Sequence, residues 1–131
     1  GHEHVMPQFI RKLTKNEEFS VEGDGTETRS FCFIDDAINA TLLVNDDNSF
    51  KNRIFNVGND IETSIRDLLD LLSKISGKDI EPKFKPKNHA GTKRRVPDIS
   101  KARSIGYVPK ITLDDGLKIT YDWYSEYYKK N

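Results

Sequence analysis

The stretch between Ser64 and Gly77 constrains this chain more than any other. Ile65, Leu68, Leu69, Leu71, Leu72 and Ile75 recur there at helical spacing, which predicts a helix with a wide apolar stripe. Ser64 followed three residues later by Asp67 resembles a capping box, with Asp in place of the usual Glu or Gln. Gly77 falls just past the last turn, where glycine takes the left-handed conformation that closes a helix.

Weaker signals surround this helix. Pro7 suits a first helical turn, and Phe9, Ile10 and Leu13 follow it at helical spacing. Phe19-Ser20-Val21 alternates briefly before Gly23-Asp24-Gly25, a turn signal of the hairpin kind, and Thr28 to Ile34 reads as the returning strand. Asp35 or Asp36 would cap a helix carrying Ile38, Leu42 and Leu43 at core spacing. Arg53 to Gly58 and Ile80 to Phe84 read as strands, Pro86 to Arg94 as a basic loop, and Asp98 to Ile105 as a short helix stopped by Gly106. Thr112 with Asp115 opens a last helix whose Leu113, Leu117, Tyr121 and Tyr124 point one way, with Trp123 added to that buried face. The mixed order of helices and strands, with no repeats, describes one small α/β domain.

Composition narrows the possibilities. With 131 residues, the chain is the size of one domain. Its 21 Lys and Arg balance its 21 Asp and Glu, which argues against a nucleic-acid or membrane-surface role. A single cysteine, Cys32, excludes an intramolecular disulfide and any multi-cysteine metal site. No apolar run approaches the roughly 20 residues that span a bilayer, and no signal peptide is visible, so a soluble cytoplasmic setting is the expectation. His2 and His4 lack a third ligand for zinc, and the apolar segment directly after them suggests a chain that starts in mid-domain.

Most catalytic patterns fail. Gly23-Asp24-Gly25 lacks a third glycine at Thr28, so the dinucleotide fingerprint is absent, and Val57-Gly58-Asn59 has no Lys-Ser/Thr after it to make a phosphate loop. His2, His4 and His89 sit in an end segment and a loop, with no serine in a nucleophile context. Cys32, between Phe31 and Phe33, reads as a buried inert thiol. Asp35-Asp36 is explained by capping before acid–base chemistry, and Asn39-Ala40-Thr41 matches a glycosylation sequon only by chance on a helix. Arg29 starts a strand lined with aromatics, and Arg94-Arg95 precede Val96-Pro97-Asp98. Two arginines converging on one cleft would suit a diphosphate, whose oxygens the guanidinium fork binds bidentately. Taken singly, each reads first as a solvated surface arginine.

The order of motifs is more specific than any one of them. His4-Val5-Met6-Pro7-Gln8-Phe9-Ile10, Gly23-Asp24-Gly25-Thr26-Glu27-Thr28-Arg29-Ser30-Phe31, Phe33-Ile34-Asp35-Asp36-Ala37, Phe55-Asn56-Val57-Gly58, Arg95-Val96-Pro97-Asp98-Ile99-Ser100-Lys101-Ala102 and Gly106-Tyr107-Val108-Pro109 follow one another along nearly the whole chain. Together they resemble the C-terminal part of the extended short-chain dehydrogenase/reductases, the NAD-dependent nucleotide-sugar epimerase/dehydratase family. The resemblance implies that residues 1–131 form the nucleotide-sugar-binding region of a larger two-part enzyme. The N-terminal Rossmann half, which would carry NAD and the catalytic Tyr-x-x-x-Lys pair, is absent, so this chain alone would hold no cofactor and would not catalyse.

In that family NAD⁺ takes hydride from the sugar C4 while a tyrosinate takes the hydroxyl proton, and a 4-keto intermediate leads to epimerisation, dehydration or decarboxylation. The resemblance implies 4-epimerase-type chemistry first. A 4,6-dehydratase, a decarboxylase or a non-catalytic binding module are the alternatives. Partners implied are a UDP-, dTDP-, GDP- or CDP-sugar, the missing Rossmann half and a second copy of the parent, without nucleic acid or membrane. By resemblance, Arg29 and Arg95 match the two arginines on the diphosphate, and Asp98 the acid near the nucleoside ribose. His4 and Val5 match the start of the substrate-contacting helix, and Phe19 and Val21 the strand against the nucleobase. Glu22 departs from the aromatic often found before the Gly-Asp-Gly turn, and Arg94 reads as a neighbour of the site. A chain parted from its other half would expose an apolar face.

Overall fold

A computed structural model describes residues 4–45, 50–86 and 91–130 of the chain; His2 and His89 lie outside them. The fold contains five helices and five short strands among these residues. In chain order they are α1 (Val5–Lys15), β1 (Ser20–Glu22), β2 (Thr28–Arg29), α2 (Ile34–Asn45), β3 (Thr63–Ser64), α3 (Ile65–Ser76), β4 (Lys83–Lys85), β5 (Arg94–Arg95), α4 (Ser100–Arg103) and α5 (Leu113–Lys130).

The helix predicted with most sequence support forms as expected. Asp67 N–H donates to Ser64 Oγ at 3.0 Å and Ser64 N–H to Asp67 Oδ2 at 3.3 Å, a reciprocal capping box at the head of α3. Gly77 closes the helix at φ +66°. Leu68 and Leu72 are fully buried with Ile65 and Leu69, against Phe9, Ile10 and Leu13 of α1, Phe19 and Val21 at β1, and Leu117 of α5. This main core joins α1, α3 and α5, with α1 packed along α5. Thr112 Oγ1 accepts from Asp115 N–H at 3.2 Å at the head of α5.

Several expectations are corrected. The Gly23–Gly25 turn does not make a hairpin. β1 pairs in parallel with β4 (Ser20↔Lys83, Val21↔Phe84), while β2 joins a separate sheet between β3 and β5. The turn is fastened instead to the head of α3: Arg66 Nε–H donates to Asp24 O at 2.8 Å, and its backbone N–H to Gly25 O. The returning strand is only two residues long, because the chain enters α2 at Ile34. Arg53–Gly58 carries no strand, and Arg94-Arg95, assigned in part to a loop, is one.

Burial differs from expectation as well. The inward face of α2 is Asp36 and Ala40, whereas Ile38 and Leu42 are 49% and 52% exposed. Polar and apolar residues are spread around α2, so its periodicity does not show which side turns inward. Trp123 is likewise 61% exposed, stacked on Tyr127 with ring centroids 5.6 Å apart. Cys32 is exposed rather than buried, because β2 has already ended before it.

The role of Asp36 is corrected too. It is 2% exposed and its two oxygens accept the backbone N–H groups of Lys110 and Ile111, each at 3.0 Å. The carboxylate is therefore a clamp between α2 and the segment leading to α5. Beside it, Ala40, Ile99, Ala102 and Tyr107 form a second, smaller core. The Tyr107 hydroxyl donates to Gly58 O at 2.8 Å. Burial, then the Cys32 thiol and the Asp36 carboxylate, hold that phenol above its ordinary range.

Candidate functional site

Strand register decides which arginines can act together. β2 and β5 run parallel with Arg29 opposite Arg95 and Thr28 opposite Arg94. Directly paired residues project to the same side of a sheet, and neighbours along a strand to opposite sides. Arg29 and Arg95 therefore share one face, and Thr28 and Arg94 the other.

The second face is occupied by Glu62. Its Oε1 accepts from Arg94 Nε at 2.7 Å, and its Oε2 from the Thr28 hydroxyl at 2.9 Å. Arg94 first, then Thr28, hold the Glu62 carboxyl below its ordinary range. One carboxylate thus ties β2 to β5 from outside and takes Arg94 away from the cavity.

The first face lines a cavity of about 960 Å³. Arg29 and Arg95 stand on its wall together with His4, Val5 and Gln8 from the start of α1, Ser20 to Glu22 of β1, Glu27, and Thr120 and Tyr124 of α5. The Arg29 guanidinium is steadied by carbonyls, with Nη1 donating to Thr28 O at 2.7 Å and Thr92 O at 3.1 Å. Both bonds use one nitrogen of a group that carries five N–H donors.

Five of the seven residues singled out by sequence, His4, Val5, Val21, Arg29 and Arg95, come together on this wall. Phe19 does not. It is buried in the main core, its ring 5.6 Å from that of Phe9. Asp98 also lies apart: its Oδ1 accepts the Ser100 N–H at 2.9 Å, and that bond holds its carboxyl below the usual range. Glu27, Thr120 and Tyr124 were missed. The signal for Glu27 was its spacing of two from Arg29, which in an extended strand means a shared face; α5 offered none, because its packing against α1 is a tertiary fact.

The glycine-rich turn at Gly23–Gly25 leads into strand β2, not into a helix whose N-terminus could face a phosphate. Among the described residues, no group of three or more His, Cys, Asp or Glu side chains is placed to hold a metal ion, and no helix is long and apolar enough to cross a membrane.

Comparison with known proteins places this geometry. The model of the NAD dependent epimerase/dehydratase family matches residues 1–58. A putative GDP-L-fucose synthase 2 from Arabidopsis thaliana is 36% identical over 94% of this chain. The UDP-glucose 4-epimerase of Thermotoga maritima, solved with UDP-glucose, superposes over 97% of the chain with a TM-score of 0.85 at 30% identity. The UDP-glucuronic acid 4-epimerase of Bacillus cereus, solved with UDP-glucuronic acid and NAD, superposes over 96% with a TM-score of 0.87 at 33% identity. The chain spans only 39% of the length of the first of these and 41% of each of the other two. Motif order, strand register and these likenesses agree: the chain belongs to the NAD-dependent epimerase/dehydratase family and corresponds to the C-terminal part of its members.

Proposed function

We propose that this region binds the nucleotide diphosphate of a nucleotide-sugar, as the substrate-binding portion of an NAD-dependent enzyme with sugar 4-epimerase-type activity. The observation that carries the reading is the register that sets Arg29 opposite Arg95 on the wall of one cavity. Neighbouring phosphates present several oxygens, and two guanidinium forks carried on paired strands, which lie about 4.8 Å apart, can address them together. Each charge-assisted hydrogen bond contributes roughly 1.5–3 kcal/mol. Val5 and Val21 supply apolar wall near the anchors, and His4 a further donor.

NAD does not fit these residues as its main site. The chain has neither the glycine-rich strand-to-helix turn nor a Tyr-x-x-x-Lys. We assign both, and the transfer chemistry with them, to a Rossmann half outside this sequence. In the proposed parent this region closes over the substrate.

A thermal-shift panel with UDP, dTDP, GDP, CDP and ADP tests the reading, with the Arg29→Ala/Arg95→Ala double variant as control. A ligand at 100 times its dissociation constant adds about 2.7 kcal/mol to the unfolding free energy. A diphosphate-dependent shift lost in the double variant is the expected result. A shift that survives in it would place the phosphates elsewhere and overturn the reading.

A further inference from the structure

We infer that Glu62 is a positioning residue for the diphosphate site: from the opposite face of the sheet it holds β5 in the register that sets Arg95 beside Arg29. The inference rests on the diphosphate reading above. Glu62 directly precedes β3, and the strands lie in the order β3-β2-β5. Its carboxylate spans all three. Oε2 accepts from the Thr28 hydroxyl on β2, while Oε1 accepts from Nε of Arg94 on β5 and lies against Nη2 of the same guanidinium. β3 and β5 are separated by two strand spacings of about 4.8 Å each, beyond the reach of a ladder bond.

That reach matters because the backbone gives β5 little hold. β2 and β5 pair over two residues, with Thr28 N–H donating to Lys93 O at 3.0 Å and Ser30 N–H to Arg95 O at 3.3 Å. A slip of one residue in such a ladder turns each side chain to the other face and moves it about 3.3 Å along the strand. The strand's own sequence does not forbid the slip, since residues 94 and 95 are both arginine and a cavity that attracts one attracts the other. What tells them apart is Glu62, which pairs with Arg94 on the outer face and leaves Arg95 to the cavity. Glu62, Thr28 and Arg94 do not line the cavity themselves, so their effect on a ligand must pass through the strands.

The size of the effect follows from exposure. The side chains of Arg94 and Glu62 keep 65% and 36% of their surface in water, and an ion pair so placed shifts an equilibrium by no more than about fivefold. Losing it leaves the chain folded but lowers the fraction with both arginines in place, and apparent affinity falls by that fraction. Charge alone predicts otherwise. Removing the Glu62 carboxylate would strengthen the attraction for an anion and removing Arg94 would weaken it, whereas loss of a shared clip weakens binding in both cases.

Titration calorimetry with UDP, GDP and inorganic pyrophosphate, on the unaltered chain, Glu62→Gln, Arg94→Gln and the double variant, tests this. Each single variant should weaken binding about three- to fivefold, and the double variant should match them within about twofold. Glu62→Asp keeps the charge and shortens the reach by one methylene. It should weaken binding as well, and it carries the test where Glu62→Gln does not melt cooperatively. Equal or tighter binding in folded Glu62→Gln or Glu62→Asp, or losses that add in the double variant, overturns the inference. The diphosphate reading then stands as long as Arg29→Ala/Arg95→Ala abolishes binding. If none of the three ligands binds the unaltered chain, the diphosphate reading falls and this inference with it.

Discussion

Replacing Asp36 by alanine should lower the unfolding free energy by about 3 kcal/mol, far more than an aspartate at the edge of a helix normally contributes. The carboxylate is almost fully buried and receives two backbone N–H groups at 3.0 Å, from Lys110 and Ile111. Hydrogen bonds to a charged partner each contribute about 1.5–3 kcal/mol net. Two of them sum to about 3–6 kcal/mol, and the lower end applies because Lys110 is exposed and water can reach its amide once the carboxylate is gone. The segment so released leads from Tyr107 of the smaller core into α5, so both cores feel the loss. Urea unfolding followed by far-ultraviolet circular dichroism measures it. With a slope of about 1–3 kcal/mol per molar urea, the midpoint should fall by about 1–3 M. Asp35→Ala, at the exposed neighbouring position, is the control and should change stability by no more than about 0.5 kcal/mol. An Asp36→Ala cost below about 1 kcal/mol, or an equal cost at Asp35, would refute the clamp and return both residues to ordinary capping.

Two further outcomes follow from the turn and the sheet. Gly25→Ala should cost about 2–3 kcal/mol in the same assay, since φ is +78° and a Cβ would lie 2.7 Å from Phe84 Cε1 and 2.9 Å from Arg66 Cγ. Gly77→Ala, at φ +66° with open space around it, should cost only about 1 kcal/mol. The Glu62 carboxyl, held below its ordinary pKa by Arg94 and Thr28, contributes stability above that ordinary value. This contribution is lost as pH falls through the lowered folded value, so Glu62→Gln should flatten the acid limb of a stability–pH curve below about pH 4.5.

What could be read from sequence was whatever depends on near neighbours. Ser64, Asp67 and Gly77 announce α3 because a capping box and a left-handed stop are local devices. Phe9, Ile10 and Leu13 announce α1 for the same reason, and all three are buried. Strand pairing is not local: Ser20 pairs with Lys83 and Arg29 with Arg95, across elements only two or three residues long. Such strands carry no periodicity, so the hairpin suggested by Gly23 and Gly25 was the cheaper local solution and the wrong one. The site divides in the same way. Arg29 and Arg95 could be singled out by type and by motif, but that they share a face while Arg94 turns to Glu62 is a fact of register. Asp98 shows the opposite failure, a residue in a suggestive motif whose carboxylate is taken up by its own turn at Ser100.

The packing of α1 along α5 also sets the order in which the cavity can come into being. His4 and Val5 are among the earliest residues of this sequence to leave the ribosome, and Thr120 and Tyr124 among the last, yet all four line the same wall. Synthesis proceeds at roughly 5–20 residues per second, so the arginine-bearing strands wait several seconds for the helix that encloses them. During that interval the inner surface of α1, with Phe9, Ile10 and Leu13, has only part of its final cover. The cavity wall is therefore complete only when residues from both ends of this sequence have come together.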